Sequence, residues 1–127
     1  SLLSDVGSTF TRQGDAYSAL GEFANAAKAY RRALSLGANA PMVHSALALA
    51  LLNVREADDA LSHANEAWRQ DPDSAQTAAT LAGIHAGFGR LSEAMRWIQD
   101  AIRLNPDAPQ YHDMMNRIAG LQTGGSR

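Results

Sequence analysis

Small and apolar positions recur along this chain with a period of 34 residues, and larger apolar residues fall beside them at helical spacing. The segments 21–41, 55–75 and 89–109 align without a gap, so that Ala26, Ala60 and Ala94 coincide, as do Ala33, Ala67 and Ala101. Upstream, Gly14, Ala48 and Ala82 share a column. Where two helices cross closely, a side chain larger than a methyl group would push the axes apart, so each period reads as a hairpin with a small residue at each crossing. Tyr17, Tyr30 and Leu34, then Leu51, Leu61 and Trp68, then Ile84, Ile98 and Ile102 supply the bulk beside the crossings.

Turn residues punctuate this pattern. Asp71-Pro72 and Asn105-Pro106 stop a helix, because the residue before proline is pushed out of the α region. Gly37 ends another, and Pro41 and Pro109 suit a first helical turn, where a missing N–H costs little. The pattern predicts seven helices, over about 5–20, 24–36, 41–53, 57–70, 75–87, 91–104 and 109–121. The last has no hairpin partner, and Asn116 stands in the column of Gly14, Ala48 and Ala82. It reads as a cap with Asp113, Asn116 and Arg117 toward water, and residues 122–127 read as a flexible tail. One domain over 1–121 is expected, in units 7–40, 41–74 and 75–108 with the cap at 109–121.

Composition narrows the picture. Hydrophobic residues make up 46% and aromatics only 6%, with alanine the commonest, which favours close-packed helices over sheets. Eleven basic residues against thirteen acidic ones leave a net charge of −2 with no basic stripe, which argues against nucleic acid. No apolar run is long enough to cross a bilayer, so no membrane insertion by this stretch is expected and a soluble chain, cytoplasmic or periplasmic, is. One lysine against ten arginines points to a GC-rich, bacterial source.

The repeats resemble tetratricopeptide repeats. Phe10, Gly14, Tyr17, Ala26, Tyr30 and Ala33 match that family's pattern in the first unit, Leu47, Ala48, Ala60, Ala67 and Pro72 in the second, and Leu81, Ala82, Ala94, Ala101 and Pro106 in the third. Gln13, Ala38, Arg55 and Ala64 depart from it; Arg55 replaces a turn glycine and Ala64 an aromatic. The resemblance implies an all-α fold, a right-handed superhelical solenoid of antiparallel helix hairpins. It also implies a concave groove, lined by the first helix of each unit, that binds peptides or helices of partner proteins. Carried onto this sequence, the partner-binding candidates are Thr11, Asp15, Ser45, Leu49, Asn53, Gln76, Ala79 and Gly83. Most are small or uncharged, a surface that lets a partner backbone approach closely. The family's chaperone adaptors hold a C-terminal carboxylate with Lys, Asn and Arg at columns that here carry Thr11, Asp15, Ala46, Gln76 and Thr80. That clamp is absent, and Asp15 would repel the anion.

The remaining chemistry-bearing residues read as structural. His44 and His112 share an aromatic column and His85 shares the Tyr17 column, so packing is expected of them, while His63 is expected to be solvated. No metal site, cofactor or catalytic residue is expected; Asp58-Asp59 and Asp71/Asp73 fall at a helix start and a turn. "GIHAGFG" (83–89) closes a helix rather than opening one after a strand, which rules out a phosphate cradle. Its glycines leave the third unit's groove wall nearly bare. The expectation is a non-catalytic scaffold or adaptor, part of a larger bacterial protein or assembly of the secretion, pilus or envelope type. Its rivals are a substrate-docking repeat attached to a transferase, or a scaffold that self-associates through an edge at Leu2, Leu3 and Val6.

Overall fold

The computed structural model describes residues 2–124, with the side chains of Leu3 and Ser4 left out. The described residues form seven helices and no strand: α1 (Leu2–Ala19), α2 (Phe23–Ser35), α3 (Pro41–Asn53), α4 (Ala57–Gln70), α5 (Ala75–Gly87), α6 (Leu91–Leu104) and α7 (Pro109–Gly124). They divide into two compact units, α1–α4 up to Asp71 and α5–α7 from Pro72 on.

In the first unit α1 pairs with α2, α2 packs on α3, and α3 pairs with α4. Gly14 sets the first crossing: a Cβ there would lie 2.5 Å from Cε1 and 2.7 Å from Cδ1 of Tyr30, so only glycine admits the ring. Tyr30 is 1% exposed, and Ala26 and Ala33 on the same face of α2 are fully buried. The second crossing uses alanine instead: Ala48 meets a helix whose Ala60, Ala64 and Ala67 are all buried, with Leu47 and Leu51 filling the core. In the second unit α5 pairs with α6 around Ala82, Ala94, Ile98 and Ala101, with Leu81 and Ile84 buried beside them. In the 34-residue column that holds Tyr30 opposite Gly14, the second and third hairpins carry the buried Ala64 and Ile98.

All three hairpin turns close alike. Gly21, Arg55 and Gly89 take positive φ of 77°, 67° and 78°. Each N–H bonds back three residues, to Ser18, Leu52 and Ala86, and the following N–H bonds back five, to Tyr17, Leu51 and His85. This is the Schellman end, which satisfies orphan carbonyls and favours glycine at the left-handed position. Arg55 adopts that conformation without being glycine. At Gly37 the chain makes the same closure, whereas α4 and α6 stop before prolines with a single bond back to Ala67 and Ala101. Ser74 caps α5 by accepting from the Thr77 N–H.

The C-terminal end differs from the sequence expectation. The final helix does not end at 121: it includes Gln122, Thr123 and Gly124, with the Thr123 hydroxyl donating to the carbonyls of Ala119 and Gly120. The rest of the expected tail, 125–127, lies outside the described residues, as do Ser1 and the side chain of Leu3. Along α7, which packs on α6, Ile118 is buried while Asp113, Asn116 and Arg117 are exposed, as expected of a terminal helix.

Candidate interaction surface

The eight residues singled out in the sequence lie on the first helices of the hairpins: Thr11 and Asp15 on α1, Ser45, Leu49 and Asn53 on α3, and Gln76, Ala79 and Gly83 on α5. The first five belong to one unit, where α1 also touches α3; the last three belong to the other. Asp15, Leu49, Asn53 and Gln76 are exposed, Thr11 and Gly83 are half-buried, and Ser45 and Ala79 are only 6% exposed. Those last two therefore offer a partner little surface.

Several of these residues are already engaged by their own helices. The Thr11 hydroxyl donates to the Gly7 carbonyl at 3.1 Å, and the Asn53 amide donates to the Leu49 carbonyl at 2.8 Å. Asp15 has a role that its column did not suggest: its carboxylate accepts from the Tyr30 hydroxyl at 2.6 Å, tying α1 to α2. Burial, then that bond, pushes the Tyr30 phenol up to about 12. The signal was present, since Gly14 and Tyr30 mark the crossing and Asp15 adjoins it.

The large apolar residues left exposed are more telling. Met42 is 71% exposed and Leu49 37%, seven residues apart on α3 and hence on one face. Neither is balanced by charge on that helix, whose thirteen residues carry no Asp, Glu, Lys or Arg.

The histidines depart most from expectation. His63 is not solvated: its Nδ1 lies 3.0 Å from Nδ1 of the buried His44. The ring centroids are 5.3 Å apart with planes inclined by 24°. That separation exceeds the nitrogen distance by about the width of an imidazole ring, so the rings meet end to end in an in-plane hydrogen bond. His63 shares its 34-residue column with the buried Ala29 and with the half-buried Trp97, and that periodicity marks it as an inward position. His112 is the opposite correction. It is exposed at the start of the terminal helix, where its Nε2–H donates to the Pro106 carbonyl at 2.9 Å. His85 is buried as expected, with Nδ1 3.4 Å from Glu93 Oε2.

The His44–His63 pair terminates a side-chain chain whose proton order is determined. Arg69 holds the Glu66 carboxylate, which also accepts from Gln70 Nε2 at 2.9 Å. Those bonds keep the Glu66 carboxyl low, at about 2. Gln70 Nε2 donates as well to Asn39 Oδ1 at 3.0 Å, and that oxygen lies 2.8 Å from His44 Nε2. An amide oxygen only accepts, so His44 carries its proton on Nε2, His44 Nδ1 is a lone pair, and His63 Nδ1–H donates to it. Desolvation lowers the pKa of both histidines; for His63 the neighbouring His44 and Arg31 add to it. Among the described residues no group of three or more His, Cys, Asp or Glu is placed to hold a metal ion.

Hairpins repeated at 34 residues, joined by Schellman turns and crossed at Gly or Ala, define a helical-repeat protein of the class that stacks hairpins into a solenoid. A sequence profile described as "Tetratricopeptide repeat" matches residues 51–118, more than half of the chain, and another described as "TPR repeat" matches 14–54. The chain belongs to the tetratricopeptide repeat family. No curated protein sequence matches it. Its fold is shared by the first TPR of Spaghetti (RPAP3) bound to the HSP90 peptide SRMEEVD, at 16% identity and a TM-score of 0.85, covering 94% of this chain and 95% of that one. The Arabidopsis OM64 TPR domain is similar at 16% identity and a TM-score of 0.87, over 93% and 98%. So is the second TPR domain of human RPAP3 in complex with the HSP70 peptide SGPTIEEVD, at 17% identity and a TM-score of 0.79, over 93% and 96%. No helix among the described residues is long and apolar enough to cross a membrane.

Proposed function

We propose that this chain is a non-catalytic interaction module that binds an extended or helical segment of a partner protein on the first helices of its hairpins. The observation that carries this reading is the exposed, uncharged apolar face of α3 at Met42 and Leu49. Such a face buries the apolar anchors of a peptide, and Asn53 and Gln76 offer hydrogen bonds beside other first-helix positions. Support comes from family members of the same fold whose structures hold chaperone peptides. The ligand chemistry differs here, because the columns that would clamp a terminal carboxylate carry Thr11, Asp15, Ala46, Gln76 and Thr80. An apolar segment within a larger bacterial assembly suits the face better than an acidic chaperone tail.

Selection of peptides displayed on phage against the wild-type chain tests this. Selected peptides should carry apolar anchors and lose at least about tenfold in affinity with Leu49→Arg, while helicity stays unchanged. Full binding to the Leu49→Arg variant would sink the assignment. A second reading, self-association, is favoured by Leu2 and Val6, exposed at 79% and 37% one turn apart on α1. Light scattering over a concentration series that gives only monomer would exclude it.

A further inference from the structure

The first hairpin carries a second surface with different chemistry. Between α1 and α2 lies a depression of about 330 Å³ that reaches the rings of Phe10 and Tyr17, with the buried Ala29 beneath. Its polar margin is cationic: Lys28 and Arg32 are exposed, neither has an ion pair among the described residues, and the Arg32 guanidinium lies 5.5 Å over the Phe10 ring.

The repeat shows what such a face does. Thirty-four residues on, His44 and His63 stand for Phe10 and Ala29, and Asp59 for Asn25. That face of the second hairpin is met by the preceding helix, α2, whose Arg31 reaches Glu56 at 3.3 Å and Asp59 at 3.4 Å. The covering helix brings a cation because the covered columns are acidic. On the first hairpin the sign is reversed: Asn25, Lys28 and Arg32 stand where Asp59, Ser62 and Glu66 stand on the second. The two aromatic rings are half-buried, and among the described residues no third helix packs over them as α2 does over the second hairpin.

We propose that the α1–α2 face docks an acidic amphipathic helix of a partner protein. Its apolar stripe enters the depression between Phe10 and Tyr17, and its carboxylates meet Lys28 and Arg32, displacing the guanidinium from the Phe10 ring. This surface is separate from the Met42–Leu49 face and carries opposite selectivity, for charge rather than for apolar anchors alone.

Two synthetic helical peptides of about 14 residues, with one leucine stripe and flanks of either glutamate or lysine, test it by ¹⁵N–¹H shift mapping. The glutamate peptide is expected to move the amides of residues 10–17 and 25–32 and to bind about tenfold more tightly than the lysine peptide at low salt. Lys28→Glu/Arg32→Glu, both at exposed positions, should reverse that preference, while Leu49→Arg should leave it intact even if the α3 face fails as a peptide site. Equal affinity for the two peptides, or shifts confined to other residues, would overturn the proposal. So would a dimer in sedimentation that Lys28→Glu/Arg32→Glu dissolves, since the occupant would then be a second copy of this chain.

Discussion

Replacing Gly14 by alanine sets two effects against each other. Alanine is the better helix former by about 1 kcal/mol, and Ala48 and Ala82 already occupy the same column. Against this, the new Cβ would lie 2.5–2.7 Å from three atoms of the Tyr30 ring, where unstrained carbons stay about 3.5–4.0 Å apart. The ring must retreat by roughly 1 Å. It has little freedom to do so, being 1% exposed with its hydroxyl held by Asp15 at 2.6 Å. Overpacking of this kind costs about 1–3 kcal/mol, and loosening the hydroxyl bond about 1 more. Sterics therefore outweigh propensity, and Gly14→Ala should destabilise the chain by about 2 kcal/mol, lowering the urea midpoint by about 1 M. The companion variant is Tyr30→Ile, which with Gly14→Ala copies the Ala82–Ile98 pair of the third hairpin. Urea titrations followed by far-ultraviolet circular dichroism on the single and double variants give the coupling, expected to favour the double variant by at least about 1 kcal/mol. A Gly14→Ala chain as stable as the parent, or a cycle additive within about 0.3 kcal/mol, would refute the steric argument.

Acid should loosen the first unit through its histidine pair. Both folded pKa values lie below 6.5, so stability is fully present above about 6.5 and falls as the unfolded chain takes up protons below it, by at most about 1.4 kcal/mol per pH unit per histidine. Of the flanking charges, Glu66 near His44 and Asp59 near His63 oppose the lowering, whereas Arg69 and Arg31 deepen it, and the net direction is unchanged. A His44→Gln/His63→Gln chain with an unchanged pH profile between 5 and 7 would count against this. Arg55→Gly should stabilise by about 0.5–1 kcal/mol, because glycine relieves a left-handed strain of about 1–2 kcal/mol while adding unfolded-state freedom; thermal melts showing no gain would contradict it. Calorimetric titration with the peptide SRMEEVD should show no binding at high micromolar concentration, and saturable binding there would mean that Asp15 and Thr11 do not govern the site.

Elements spaced by 34 residues were the legible part. The seven helices, the small residues at each crossing and the turns at 21, 55 and 89 all follow from columns that repeat, because each hairpin meets the same packing requirement. What stayed hidden depends on two columns meeting in one repeat only. The pairings themselves are of this kind: His63 Nδ1 with His44, and the Asp15 carboxylate with the Tyr30 hydroxyl at 2.6 Å, each made in one hairpin alone. His112 failed for a third reason: its column is inward where a second helix completes the hairpin, and among the described residues none follows α7. Burial likewise separated Ser45 and Ala79 from the exposed Leu49 and Gln76, a distinction that residue type does not make.

The side-chain chain from Arg69 to His63 has a consequence at a distance. Glu66 does not touch His63, yet its negative charge fixes which end of Gln70 points inward, and so which nitrogen of each ring is protonated. Neutralising Glu66 would release that polarity, and two tautomeric patterns would share the same heavy-atom positions. The helix pair would keep its packing but lose a unique arrangement of hydrogens, a heterogeneity visible to ring-nitrogen NMR and invisible to any outline of the backbone.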